Sequence, residues 1–246
     1  MRIYVYDGSF EGLLTSVYEA YYRKERPEKI ISIEDYKPDL VSSFEFIETS
    51  DKHSDRVYNS ILEKISKEAL QYIYYVYISE LEEAGTVIYQ YLRLGWKIGS
   101  SVNQHLLDPR VLRLHQISSK VTREKHRMLG LLRFQGAEDL YYAEIEPDFN
   151  IVGLIAPHFA EGMADQNWMI HDIKRRIAAL YDRHEWVLVD IAEVNIPKLD
   201  SRETKYEELW RAYYKHISIP ERKNPKLQKR CMPMRYWKHL TELSKG

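Results

Sequence analysis

Partway along the chain the apolar residues change their period, and with it the secondary structure they can form. From Ser54 to Gly99 the spacing is helical: Val57, Ile61 and Ile65 fall four apart, which stacks them on one helix face. Within that stretch Tyr72–Ile78 is apolar nearly all round and reads as either a buried helix or a strand. Asp108-Pro109 starts another helix, with proline at the first helical position. Ser118-Ser119 leaves two readings open, a break there or a helix running on through Arg133. From Arg133 to Ile191 short segments replace long ones: Leu140–Ile145, Ile151–Ile155, Trp168–Asp172, Arg176–Tyr181 and Trp186–Ile191, separated by turn-like stretches such as Glu146-Pro147-Asp148. They predict a central antiparallel sheet over about 140–191, with Asp172–Tyr181 readable alternatively as a helix.

The flanks complete the pattern. Ile3 and Val5 alternate with Tyr4 and Tyr6, so residues 2–6 read as a strand, and Asp7-Gly8-Ser9 is a turn carrying a ready N-cap. A helix from Phe10 to about Arg23 follows, with Leu13, Leu14, Val17, Tyr18 and Tyr21 on one face. Pro27 and Pro38 bracket an acidic connection containing Ile30–Ile33, and Phe44–Thr49 alternates like an edge strand. Glu203–Ile217 is predicted helical, because Tyr206, Leu209, Trp210, Tyr213, Tyr214 and Ile217 make a core-type stripe. A proline-punctuated basic tail comes after it. With no internal repeat and no low-complexity linker, the expectation is one domain over 1–246. Its fold class is α+β, a central antiparallel sheet flanked by N- and C-terminal helices, with an N-terminal strand.

Charge and composition narrow the function classes. The 246 residues carry a formal net charge of -1, so no global field draws the chain to nucleic acid or to an anionic membrane. Any such role rests on local patches. The single Cys231 excludes an internal disulfide, a CxxC redox pair, a cysteine-built zinc site and a cysteine-held iron–sulfur cluster. The first residues lack the apolar core of a signal peptide, and no apolar run approaches the roughly 20 residues of a membrane span. The cytoplasm is therefore the expected location. The 20 tyrosines and 5 tryptophans suit either core packing or base stacking.

Two segments carry candidate chemistry. In the helix around 113–133, Ile117, Val121, Met128 and Leu132 share one stripe, while Lys120, Arg123 and Arg127 lie on another side with His126 at its edge. Six Lys/Arg stand against one acid, Glu124, between Arg113 and Arg133. Arginines one turn apart can hold a phosphate or carboxylate through paired N–H bonds. A solvated helix face, or pairing with the acids near Glu34–Asp55, is the competing reading. From Lys205 to Gly246 the charge is +7 against −8 in the rest of the chain. Arg222, Lys223, Arg235, Tyr236 and Trp237 interleave cations with rings there, as a polyanion surface would. Neutralisation of this tail by the acidic amino-terminal half fits as well.

Weaker signals are of residue type only. Asp7-Gly8-Ser9 has the strand–turn–helix setting of an anion site but lacks the P-loop and dinucleotide fingerprints. Glu11, Glu124 and Asp172 are candidate general bases. His126, His158, His171 and Asp172 could form an acid–base or metal site only if folding gathered them, and no HExxH or HxH spacing is present. No metal and no cofactor is predicted.

Taken in order, Asp7–Leu14, Arg123-Glu124 with His126-Arg127, Gly130 with Arg133-Phe134, His158-Phe159, Trp168 with Asp172 and Arg175, Glu208-Leu209-Trp210, Glu221-Arg222 with Asn224-Pro225, and Met232-Pro233 with Arg235–Lys238 span nearly the whole chain. Together they resemble a bacterial family assigned to DNA metabolism and repair and encoded beside a radical-SAM protein. In some members the domain is fused to a uracil-DNA glycosylase-like domain. The resemblance implies DNA and a radical-SAM protein as partners, but supplies no reaction or catalytic residue. Leu131-Leu132 before Arg133 and Glu161-Gly162 after His158-Phe159 depart from its pattern.

Three functions compete. The first is a DNA-binding repair protein acting with the radical-SAM partner, with Arg123, Arg127, Arg133, Arg222, Lys223, Arg235, Tyr236 and Trp237 on nucleic acid. The second is a glycosylase-like or nuclease-like hydrolase using Glu124, His126 or Asp172. The third is a non-catalytic protein scaffold.

Overall fold

The computed structural model describes residues 2–23, 26–38, 42–137, 140–191, 208–212, 216 and 224–243. The chain divides into two compact units, Met1–Thr122 and Arg123–Gly246.

The first unit is built on a three-stranded parallel sheet of order β2-β1-β3, with β1 at Arg2–Tyr6, β2 at Lys29–Ser32 and β3 at Ser43–Phe46. Helix α1 (Phe10–Tyr22) follows β1, capped by Ser9, whose side chain accepts the Gly12 N–H. Three more helices follow β3: α2 (Asp51–Lys64), α3 (Lys67–Tyr77) and α4 (Ala84–Ile98). Tyr4, Tyr6 and Ile30 join the main core with Leu13, Val17, Ile61, Ile73, Ile88 and Leu92. The alternate residues Ile3, Val5 and Ile31 pack beneath Tyr36 on the other face. A strand that is apolar on both sides suits a parallel sheet covered on both faces. Of Tyr72–Ile78, residues 72–77 are helical and make up the greater part of α3, with Ile78 as its C-cap. Helix α4 comes close to β2 at Gly85, where an added Cβ would lie 2.6 Å from the Ile30 carbonyl oxygen.

Helix α5 spans Pro109–Leu131 without a break at Ser118-Ser119. Its predicted stripe of Ile117, Val121 and Met128, with Leu132 just beyond, is buried.

The second unit holds a five-stranded sheet in sequence order: β4 (Gln135–Ala137), β5 (Leu140–Ile145), β6 (Trp168–Asp172), β7 (Ile177–Tyr181) and β8 (Trp186–Asp190). The expectation of a purely antiparallel sheet is corrected here. β5 and β6 run parallel, while β4–β5, β6–β7 and β7–β8 are antiparallel. The reason lies in the segment read as a strand at Ile151–Ile155. It opens helix α6 (Val152–Gly162), and a helical crossover returns the chain to the end where it started, so the next strand must run parallel. Asp172–Tyr181 is a strand–turn–strand, with Arg176 at positive φ in the turn. β6, between β5 and β7, is buried along its whole length.

Helix α7 (Pro225–Cys231) is capped by Asn224, and a 3₁₀ turn covers Met234–His239. Of the helix expected over Glu203–Ile217, residues 208–212 and 216 are helical and the remainder lies outside the described residues.

Candidate functional site: a buried carboxylate network beside a basic face

Glu124 sits on the α5 turn after Arg123 and is only 2% exposed. A carboxylate this deep must have every oxygen engaged. The backbone N–H groups of Asp148 and Phe149 donate to Oε1 and Oε2, both at 2.9 Å. The Tyr236 hydroxyl and the Arg235 guanidinium donate to Oε1 as well, the latter at 3.1 Å. Arg235 also pairs with Asp148 Oδ2 at 2.6 Å and lies over the Tyr236 ring, 4.6 Å from its centroid. Burial and the adjacent Glu124 push the Tyr236 hydroxyl well above its usual pKa, so it stays a proton donor.

The same turn is gripped from its other side. Asp172 is fully buried at the end of β6 and accepts the backbone N–H groups of Lys174 and Arg175. It pairs with Arg175 Nη1 at 2.9 Å. Arg175 then donates to the Pro147 carbonyl at 3.1 Å and the Asp148 carbonyl at 2.8 Å. Glu124 and Asp172 therefore hold opposite polarities of one backbone turn: Glu124 takes its N–H groups directly, and Asp172 reaches its carbonyls through Arg175. Next along β6, His171 Nδ1 meets the Tyr142 hydroxyl at 2.8 Å, and burial lowers the histidine's pKa.

The other sequence candidates fall elsewhere. His126 and His158 are exposed on different helices, and His158 rests against Phe159. Among the described residues no three His, Cys, Asp or Glu side chains are gathered as a metal site would require. Arg133 is bound to Glu242 at 2.7 Å. Tyr236 is 2% exposed, which leaves no ring face for a base, while Trp237 is half-buried with its indole N–H on the Met232 carbonyl. Arg222 and Lys223 lie outside the described residues.

Arg123 is exposed, and Arg127 is half-buried and donates to the Arg230 carbonyl at 3.4 Å. This bond joins the two basic segments of the sequence, the end of α5 and helix α7. Lys226, Lys229 and Arg230 on α7 are exposed. Among the described residues, Arg127 and these three cations have no carboxylate partner.

Sequence reasoning singled out Glu124 and Asp172 as possible bases and missed that both clamp the 147–149 turn. Arg175 carries the connection. The Asp172-x-x-Arg175 spacing across a turn and the Glu146-Pro147-Asp148 signal are what could have found it.

An α+β protein with a buried carboxylate network beside a basic face is the class that fold and site define. The family model for a domain of unknown function, DUF4130, matches residues 82–242, and the chain belongs to that family. No curated protein matches the sequence. Among the described residues no helix is long and apolar enough to cross a membrane.

Proposed function

We propose that the protein binds DNA through the face formed by Arg123, Arg127 and the cations of α7, in the repair context, beside a radical-SAM protein, that the family resemblance implies. The observation that supports this most is the Arg127–Arg230 bond. It brings two basic segments about a hundred residues apart in sequence onto one surface, where Arg127, Lys226, Lys229 and Arg230 have no carboxylate partner among the described residues. Arginines on a helix supply paired donors to phosphate oxygens, and Lys226 and Lys229 add point charges nearby. Glu124, Asp172, Arg235 and Tyr236 hold that surface in place. Their side chains are engaged with one another, with Arg175 and with the 147–149 turn, so this reading assigns them a positioning role.

The test is a titration of duplex, mismatched and single-stranded oligonucleotides at two salt concentrations. Four to six phosphate contacts would give a slope of log affinity against log salt of about −4 to −5 on duplex. Arg123→Ala/Arg127→Ala should weaken binding and flatten that slope by about two. No binding at low salt, or binding that this variant leaves unchanged, removes the proposal.

A further inference from the structure

In the first unit, three helices enclose a pocket of about 390 Å³ that the basic face does not involve. Helix α1 contributes Tyr18, Tyr21 and Tyr22, α4 contributes Trp96, and α2 contributes Arg56 and Lys64. The spacing makes it so: 18, 21 and 22 share one face of α1, and 56, 60 and 64 share one face of α2. An apolar stripe at this spacing normally disappears into the core. Here Tyr21 remains 51% exposed and Tyr22 58% exposed, so large ring surfaces stay open to solvent.

The charges say what kind of guest fits. The Arg56 guanidinium lies 5.8 Å from the Tyr18 ring centre and 5.5 Å from that of Tyr22. The position over those rings where a cationic ligand would sit is thus already filled. Neither Arg56 nor Lys64 has a carboxylate partner among the described residues. Glu63 is the one acid lining the pocket and is bound to neither of them. Exposed rings for stacking and two cations without a carboxylate partner among the described residues together match a flat heteroaromatic ring bearing an anion.

We propose that this pocket binds a nucleotide, with the base against the open Tyr21 and Tyr22 rings and the phosphate on Arg56 and Lys64. Its volume suits one small-molecule-sized guest. The inference goes beyond the basic face of the second unit and stands on residues of the first alone. The nucleotide could be free or part of an unpaired strand, the source that the DNA-binding reading would supply.

The experiment uses the full chain, a labelled oligodeoxythymidylate, a duplex of equal length, and free dTMP and dAMP followed by calorimetry. Tyr22 and Arg56 are exposed, so Tyr22→Ala and Arg56→Ala should fold normally, which circular dichroism checks. Each should weaken single-strand binding by on the order of tenfold while leaving duplex binding unchanged. Tyr22→Phe, which keeps the ring, should retain wild-type affinity. Single-strand or mononucleotide binding that is indifferent to Tyr22→Ala and Arg56→Ala overturns the pocket, as does a wild type that binds neither. If dTMP or dAMP binds in an Arg56-dependent way and no oligonucleotide binds, the pocket stands with a free nucleotide as its guest and the DNA reading falls. Loss of duplex binding only in Arg123→Ala/Arg127→Ala keeps the two proposals separate.

Discussion

Glu124 shows how one side chain can be indispensable without touching a ligand. Its carboxylate takes four donors from two segments, so a neutral isostere would replace charge-assisted bonds with weaker ones and turn an amide N–H₂ toward donors. Glu124→Gln should lower stability by roughly 2–4 kcal/mol, read as a lower urea midpoint with unchanged slope. A second residue-scale expectation concerns acid. His115, His171 and His239 all have pKa values lowered from 6.5, chiefly by burial. A group whose folded pKa is depressed binds protons more readily when unfolded. The stability it contributes is therefore complete above about 6.5 and is lost as pH falls toward its folded value. Urea midpoints should begin to drop below pH 6.5, and His171→Gln should make that drop shallower.

At the scale of elements, two glycines make opposite forecasts. Alanine is favoured over glycine in a helix by about 1 kcal/mol. Gly130 in α5 has no atom within 4 Å of where a Cβ would go, so Gly130→Ala should stabilise by up to about 1 kcal/mol. At Gly85 the new Cβ would meet the Ile30 carbonyl, which belongs to a strand and cannot swing aside. Overpacking of about 1–3 kcal/mol outweighs the helix gain there, so Gly85→Ala should destabilise. Thermal melts of the two variants should move in opposite directions.

The elements also show what could be read from sequence. Leu140–Ile145 and Trp168–Asp172 are strands at the bounds their alternation gave, and α1 and α5 follow their caps and stripes. Ile151–Ile155 misled because five apolar residues carry no period long enough to separate helix from strand, and the parallel pairing followed from that one segment. The parallel sheet of the first unit was hidden by its connection: Ile30-Ile31 looks like part of a linker until Ile3 and Val5 stand beside it. The carboxylate network was harder still. Half of Glu124's partners are backbone N–H groups, which leave no mark on residue identity.

For the whole molecule, a net charge of -1 conceals a division. The first unit has 15 Lys/Arg against 18 Asp/Glu and the second 21 against 19. On the proposed DNA-binding reading, local surface rather than net charge would direct a polyanion, so the expected affinity for intact duplex is modest and falls steeply with salt.

The Glu124 network also sets a timetable. Tyr236 and Arg235 follow Glu124 by 112 and 111 residues. At the usual pace of translation, roughly 6–20 s separate the emergence of the acid from that of its last two donors. Throughout that interval the carboxylate has only the 148–149 amides to meet it, and the chain waits with a charge it cannot yet enclose. Chains truncated before residue 235 should therefore be cut readily by protease around the 147–149 turn. Released chains that contain residues 235 and 236 should resist it.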